Sequence, residues 1–402
     1  MLYDYIIIGA GISGLYAAYN IKKIDPSKTI LILDKNKIVG GRMNVYNFCG
    51  TTVNSGAGIG RKKKDYLLIK LLDELNIKYV TVKSIINRHE NIKKINLNNI
   101  IKMLKSKYDK DKYGTYNFKK FAIEILGKEE YNNFVAYVGY TDFESEDAYE
   151  TLYYYGLDDS ISNNEILYIK WQELLDSLVN IIGSSNIKVN NNIISINKIN
   201  EQYINKTNEQ YIIKNDKNKI YNGHKLIIAT TIDTVKHLLP KLSIYNNIKG
   251  QNFLRVYGKF DDKSTVIVNN IINSYTVVSG PIKKIIPINR DIGIYMIVYT
   301  DNKGADYFSD NLDDKQFFSN EIEKTLNLQK NTLKLVAIKS FYWDIGTHYY
   351  KPLNKKYKDR IEFINKSQTP DKNLFVIGEM ISRNQGWVQG ALESVNNILN
   401  KL

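Results

Sequence analysis

The chain opens on Asp4-Tyr5-Ile6-Ile7-Ile8-Gly9-Ala10-Gly11-Ile12-Ser13-Gly14-Leu15 and follows it with Thr29-Ile30-Leu31-Ile32-Leu33-Asp34. The run Tyr5–Ile8 has the unbroken apolar character of a parallel strand buried on both faces. It passes directly into Gly9-x-Gly11-x-x-Gly14. Leu15, Ala17, Ala18 and Ile21 then repeat at helical spacing, and a second apolar strand closes on an acid at Asp34. Each part has a physical use. Gly9 allows a tight turn, Gly11 lets the backbone approach a pyrophosphate, and Gly14 lets helix and strand pack closely. The free N–H groups and positive dipole end at Ile12 and Ser13 suit phosphate. Asp34 is placed to accept from the hydroxyls of the adenosine ribose. Strand, glycine turn, helix, second strand and terminal acid, all at the right spacing, describe a Rossmann-type dinucleotide-binding unit.

The residues that follow discriminate among dinucleotides. Ile38-Val39-Gly40-Gly41-Arg42 comes just after Asp34, and Val53-Asn54-Ser55-Gly56-Ala57-Gly58 a little later. A nicotinamide domain has no need of a Gly-Gly-Arg here. An extended FAD does, because the backbone at Gly41 can pass beside it and Arg42 can reach the pyrophosphate or the flavin edge with a fixed fork of donors.

At the other end, Leu374-Phe375-Val376-Ile377-Gly378-Glu379 reads as a short strand ending in Gly-Glu. Gly386-Trp387-Val388-Gln389-Gly390-Ala391-Leu392-Glu393-Ser394 then opens a helix. Together with the N-terminal motif, this resembles the flavin amine oxidase superfamily, which includes monoamine and polyamine oxidases and protoporphyrinogen oxidase. The resemblance implies an α/β fold: a Rossmann-type, GR2-like FAD-binding domain interleaved with an α+β substrate-binding domain. It implies that Glu379, following Gly378, binds the ribityl chain, and that the backbone around Val388 faces the pyrimidine end of the flavin ring. Gly56 and Ala57 would pass beside the flavin. Two further strands match more loosely. Ile187–Ile196 is similar to the family strand whose backbone meets adenine, which would place Ile193 there, and Lys225–Thr231 is similar to one near the pyrophosphate. The family's covalent flavin link uses a Cys shortly before its second aromatic wall. The one cysteine here, Cys49, is far from that position, so the FAD is expected to be non-covalent.

The interleaved layout implies FAD-binding segments at 1–80, 166–245 and 371–402, with 81–165 and 246–370 forming the substrate and cap domain. The pattern along the chain is compatible. Helical spacing recurs at Ile100–Leu104, Phe118–Leu126, Tyr131–Tyr137 and Trp171–Ile182. A hairpin pattern runs through Ile193–Ile196, Tyr203, Tyr211–Ile213 and Ile220. Strand-like alternation marks Phe253–Tyr257, Thr265–Val268, Tyr275–Val278, Ile294–Tyr299 and Leu333–Ser340, interrupted by a helix at Lys315–Leu326.

Composition narrows the function further. The formal charge is +14, yet only seven of the 56 basic residues are Arg. Base readout and phosphate forks favour Arg, so nucleic acid is not expected as a partner. Arg61-Lys62-Lys63-Lys64 is the one dense basic run and reads as a solvated turn. Four scattered His give no metal spacing, and one cysteine excludes an internal disulfide. No apolar run reaches the roughly 20 residues of a membrane span. A soluble protein in a reducing, cytoplasmic setting is expected, and the C-terminal Asn400-Lys401-Leu402 only loosely resembles a peroxisomal signal.

For the chemistry, the resemblance points to a Lys near flavin N5 and two aromatic walls. The strand expected to carry the Lys is Asn252–Lys259, and the matching position holds Arg255. Alternation sets Phe253, Arg255 and Tyr257 on one face, with Lys259 continuing it as a rival. An Arg there weakens a plain amine reading and favours an anionic substrate or a contact to N5. Trp387 is the expected aromatic wall. Trp343 and one of Tyr349 or Tyr350 are candidates for the second. The leading functional expectation is an FAD-dependent oxidase taking a hydride equivalent from a small substrate, an amine first of all, and reducing O2 to hydrogen peroxide. The alternatives are a same-fold desaturase, porphyrinogen-type oxidase or sugar-nucleotide mutase, and a non-catalytic structural flavoprotein.

Overall fold

The apolar run at the N-terminus becomes the centre of a seven-stranded sheet. The computed structural model describes residues 1–203, 206–353 and 355–402. Strand β1 (Leu2–Ile8) pairs in parallel with β2 (Ile30–Leu33) and with β12 (Ile220–Ile228). Beyond β2 lies β9 (Ile187–Lys188), and β18 (Leu374–Val376) pairs with the C-terminal half of β12. An antiparallel hairpin, β10 (Ile193–Tyr203) and β11 (Lys206–Asn215), feeds into β12. The sheet thus gathers strands from the beginning, middle and end of the chain.

Both faces of this sheet are covered, which is why its strands show no polar alternation. Ile7, Ile30, Ile32, Ile227 and Phe375 pack against α1 (Ile12–Ile24), α2 (Tyr66–Glu74), α8 (Trp171–Ile182) and α14 (Val388–Asn396). Ile6, Ile8, Leu31, Leu33, Leu226 and Ile228 face the other way. They meet the β10–β11 hairpin, α9 (Ile232–Leu238) and α13 (Arg360–Gln368).

A second sheet has six strands, in the order β17 (Leu335–Tyr350), β13 (Ile248–Phe260), β16 (Ile294–Asp301), β15 (Lys284–Asn289), β14 (Tyr275–Val277) and β7 (Ile86–Arg88). One face carries Leu254, Val256 and Ile297 into a core with α10 (Asp262–Ile271), α11 (Asn302–Phe308) and α12 (Lys315–Thr325). A helical layer of α3 (Leu97–Lys107), α4 (Lys110–Tyr113), α5 (Phe118–Leu126), α6 (Lys128–Val138) and α7 (Ala148–Tyr153) has its own aromatic core around Phe118, Phe134 and Phe143. A hairpin, β3 (Val45–Phe48) and β4 (Thr51–Asn54), and a small sheet ordered β5 (Gly60–Arg61), β8 (Glu165–Ile169), β6 (Tyr79–Lys83) complete the fold. Among the described residues no helix is long and apolar enough to cross a membrane.

Two expectations need correction. Thr265–Val268 is not a strand but the middle of α10. The Asp261 carboxylate accepts from the backbone N–H of Ser264 and caps the helix, and the buried positions Ser264, Val268 and Ile272 recur every four residues. In a window of four residues, Thr-Val-Ile-Val carries strand propensity that this cap overrides. The expected seams at 80/81 and 165/166 also fall inside elements, within β6 and β8, which pair with each other.

The first crossover depends on a backbone contact. A Cβ built on Gly14 would stand 2.0 Å from the carbonyl oxygen of Gly9, so α1 lies against the turn that precedes it. Gly14→Ala is expected to push α1 outward and lower stability by about 1–3 kcal/mol, read as a shift in urea midpoint. Gly11→Ala, whose Cβ meets nothing within 4 Å, is expected to leave that midpoint in place. Equal effects at the two positions would contradict this packing.

Candidate functional site

The loops leaving β1, β2, β12 and β18 at their C-terminal ends converge on one cavity of about 1540 Å³, which continues beneath the second sheet. That position matches the rule for ligands in open α/β sheets. The volume exceeds the roughly 300–1,000 Å³ of a pocket for a single small ligand. It suits an extended dinucleotide with a second molecule beyond it.

At the parallel-sheet end, Gly9, Gly11, Ile12 and Ser13 line the wall. No side chain caps α1, so its first-turn N–H groups remain for a ligand. The vacant Cβ position of Gly11 opens into the same space. Gly14 stands behind the wall and acts through packing. The Asp34 carboxylate accepts from Ala10 N–H and Asn36 N–H, each at 2.7 Å. It therefore latches the glycine loop to the end of β2 while lining the cavity. Gly40 N–H donates to the Ala10 carbonyl at 2.8 Å, and Ala57 N–H to the Arg42 carbonyl at 2.7 Å. This brings Gly41, Arg42, Gly56 and Ala57 to the wall, together with Ile193, Gly378 and Val388. Like α1, α14 begins with no side-chain cap, directly after Trp387.

Glu379 ties these segments together. Oε1 accepts from Arg42 Nη1 at 2.8 Å and from His348 Nδ1, and Oε2 accepts from Gly386 N–H at 2.8 Å. His348 Nε2 accepts from Ile232 N–H at 3.2 Å, so the hydrogen-bond network assigns the ring proton to Nδ1. Arg42 also donates to the Gly346 carbonyl at 2.7 Å. Burial alone would raise the carboxyl's pKa. His348, Arg42 and the Gly386 N–H outweigh that effect and hold it down at about 2.

The aromatic end is built from both sheets. Phe253, Arg255 and Tyr257 line it, while Leu254 and Val256 point into the opposite core, as alternation requires. Lys259 is half-buried and lies outside these walls. Trp343 lines the cavity and donates its indole N–H to the Ser55 carbonyl at 2.7 Å. Trp387 is half-buried at the wall, with the Arg61 guanidinium 3.7 Å from its ring centroid.

Neither tyrosine proposed for the second wall is in place. Tyr349 lines a separate small pocket with Ser145 and Gly250. Tyr350 is sealed in the core, donating to the Ser382 carbonyl beneath Arg360. Their strand, β17, pairs with β13 through irregularities in register, so the face presented near Trp343 cannot be counted forward to residue 349. Arg61 corrects the expectation of a solvated basic turn. It is 5% exposed and donates to Asp65 through Nε and Nη2, at 3.0 and 2.7 Å, and to Asp159 at 3.2 Å.

Sequence reasoning missed Tyr140, Asp142, Tyr155, Tyr275 and Tyr299 at the aromatic end. Tyr155 donates its hydroxyl to Asp142. Behind them Lys284 is wholly buried, donating to the Gly139 carbonyl, and burial holds its pKa well below the ordinary value. No spacing motif marks these residues. One signal was available for Arg61: in a chain that favours Lys over Arg so strongly, each Arg hints at a geometric need for the fork. Arg42, Arg61 and Arg255 all line this cavity.

Comparison with known proteins agrees with this geometry. Residues 7–75 match the family described as an NAD(P)-binding Rossmann-like domain. The structure of a putrescine oxidase bound to putrescine matches with a TM-score of 0.76 at 13% sequence identity, covering 100% of this chain and 99% of that one. A double mutant of putrescine oxidase, from a redesign of its cofactor binding, matches to the same degree. The chain has the fold of that enzyme, from end to end.

The Glu379 cluster sets an acid limb for stability. Its folded pKa of about 2 lies below the ordinary 4.5. The ionised carboxylate therefore contributes stability above pH 4.5, on the order of 3 kcal/mol, and loses it as pH falls toward 2. Glu379→Gln is expected to be destabilised at pH 7, with the gap to the parent chain narrowing below pH 4.5 in urea midpoints taken across pH. A gap independent of pH would contradict the role of the charge.

Proposed function

We propose that the protein is an FAD-dependent oxidase of the amine oxidase type. The observation that carries this reading is that the N-terminal glycine loop and the Gly378–Val388 segment meet in one cavity. A Rossmann unit alone serves NAD and FAD alike. A nicotinamide site has no use for the second cradle, whereas FAD needs contacts along its whole length. The shared fold of putrescine oxidase supports the same choice.

In this reading the Gly9–Gly14 loop and the start of α1 hold the pyrophosphate, Asp34 the ribose, and the backbone at Ile193 the adenine. Gly41 and Arg42 run beside the cofactor, with Gly56 and Ala57 next to them. Glu379 aligns Arg42 and the Gly386 N–H, and through them the α14 N-terminus at Val388, which meets the pyrimidine edge. Binding is non-covalent: Cys49 sits in the exposed turn between β3 and β4, away from the cavity walls. When bound, the flavin supplies the electron sink for a hydride equivalent and passes the electrons to O2 as peroxide. The chain's own residues orient the substrate and exclude water. Trp343 and Trp387 form the walls of the slot in place of the tyrosines, and Arg61, stacked on Trp387, fixes its plane by a cation–π contact of about 2 kcal/mol.

Two outcomes test this. Purified protein is expected to be yellow and to release FAD on acid precipitation, while Gly11→Val is expected to be colourless at an unchanged melting temperature. Anaerobic mixing with amines is expected to bleach the flavin band, and admitting air to return it with one peroxide formed per substrate oxidised. Colour without bleaching by any amine, amino acid or polyamine would remove the oxidase reading.

Trp387→Ala separates wall from core. It is expected to shift the visible flavin spectrum and slow reduction about tenfold, with the melting temperature little changed because Asp65 and Asp159 still hold Arg61. A large loss of stability, the roughly 3–5 kcal/mol typical of a buried Trp, with an unaltered spectrum would return Trp387 to the core.

A further inference from the structure

Three arginines of the described residues are buried, Arg61, Arg255 and Arg360, and two of them are paired with carboxylates. Arg42 is paired with Glu379 at 2.8 Å, Arg61 with Asp65 and Asp159, and Arg360 with Asp147 and Glu150, both at 3.2 Å. Arg255 is 9% exposed, close to Arg61 and Arg360, yet among the described residues no carboxylate oxygen lies within 4.0 Å of its guanidinium. Its neighbours are neutral. The Tyr299 ring centroid lies 4.5 Å away, and the guanidinium sits against the backbone of Gly58. The Tyr257 hydroxyl donates to the Asn54 carbonyl, and its oxygen and that of Tyr299 accept from the guanidinium. The nearby buried Lys284 adds a second basic group instead of compensating the first.

A buried charge held by neutral groups alone, with no counter-ion, is costly to keep and is best compensated where an anion arrives from outside. The strand alternation that sends Leu254 and Val256 into the core aims Arg255 into the cavity. The planar fork of a guanidinium matches a carboxylate with two parallel hydrogen bonds. The phosphate cradle belongs to the first sheet, at Gly11 and α1, whereas Arg255 is on the second sheet among Tyr140, Tyr275 and Tyr299. At this same end Asp142 lines the wall with Tyr155 as the hydrogen-bond donor to its carboxyl, whose pKa burial raises to about 7, so a hydrogen-bond acceptor for an amine group lies in the same chamber.

We infer that the second ligand of this cavity carries a carboxylate that pairs with Arg255, and that the substrate is an amino carboxylate and not a plain mono- or diamine. The amine half of this statement rests on the oxidase reading above; the anion site does not.

The test uses the FAD-loaded protein and two probes with the same ring and opposite charge, benzoate and benzylamine, titrated while the flavin band and the tryptophan fluorescence are followed. Benzoate is expected to bind at least tenfold more tightly than benzylamine. Arg255→Met is expected to weaken benzoate at least tenfold, leave benzylamine unchanged, and keep or raise the melting temperature of the ligand-free protein, because an unpaired charge has been removed. Arg255→Lys is expected to recover part of the benzoate affinity. Benzylamine binding as tightly as benzoate, or benzoate affinity unchanged in Arg255→Met, would overturn the inference. Should Arg255→Met fail to fold, the arginine is structural and the inference fails as well. The oxidase reading is judged separately. Photoreduced flavin mixed with O2 reports reoxidation and peroxide with no substrate present, and the fluorescence titration reports anion binding even in FAD-free protein.

Discussion

One buried carboxylate holds the site together. Glu379 follows the last strand of the parallel sheet, yet its oxygens are shared by Arg42 from the first sixth of the chain, His348 from β17 of the second sheet, and the backbone ahead of α14. Through His348 the network reaches the N–H at the start of α9, and through Arg42 it reaches the Gly346 carbonyl. Breaking a buried pair of this kind costs about 3–5 kcal/mol because the remaining charge is stranded. Here the loss would also release the relative positions of two sheets and two helix starts. The geometry offered to a ligand thus depends on one ionised group staying ionised, and its surroundings ensure this well below neutral pH.

The rest of the cavity follows a simple division of labour between its ends. On the parallel sheet, recognition is by backbone: uncapped helix starts, a glycine whose missing side chain leaves open space, and an acid that spends one lone pair on each of two N–H groups while facing the ligand. Such a wall suits an extended, polar, phosphate-bearing molecule with little dependence on side chains. On the second sheet the wall is made of aromatic faces with acidic and basic groups among and behind them, in surroundings dry enough to raise the pKa of Asp142 and Asp301 and lower that of Lys284, toward their neutral forms. A wall of this kind discriminates between small molecules by charge and shape. The hydrophobic cores behind both sheets make the division rigid, since each strand facing the cavity is fixed by the apolar residues on its reverse side.

Much of the fold was legible because local rules and tertiary packing agree where the chain is strongly patterned. The helices at Phe118–Leu126 and Trp171–Ile182 fall where the apolar spacing sets them, and the hairpin entering β12 follows its alternation. The failure at Thr265–Val268 is of the opposite kind: β-branched residues in a short window carried the pattern, and a single Asp cap with one buried stripe decided otherwise. The glycine loop, Asp34, Arg42, Glu379 and Val388, expected from residue types at fixed short spacings, all come to the wall of one cavity. Tyr349 was misplaced because irregular register in β17 defeats counting by twos. Arg61 was hidden by the lysines next to it.

By itself, then, the sequence determined the glycine turn of the Rossmann-like unit and the face on which Arg255 lies, since both follow from rules that act within about ten residues of chain: glycine at a turn, an uncapped helix start, alternation along a strand. Only the tertiary structure decided which aromatic residues close the cavity, that Arg61 lies beneath Trp387, that Asp142 lines the chamber with Lys284 behind it, and that Arg255 lies buried with no carboxylate beside it among the described residues. Those are contacts between residues tens to hundreds of positions apart. Nothing in local spacing records them, because burial and charge pairing depend on where the two sheets come to rest against each other.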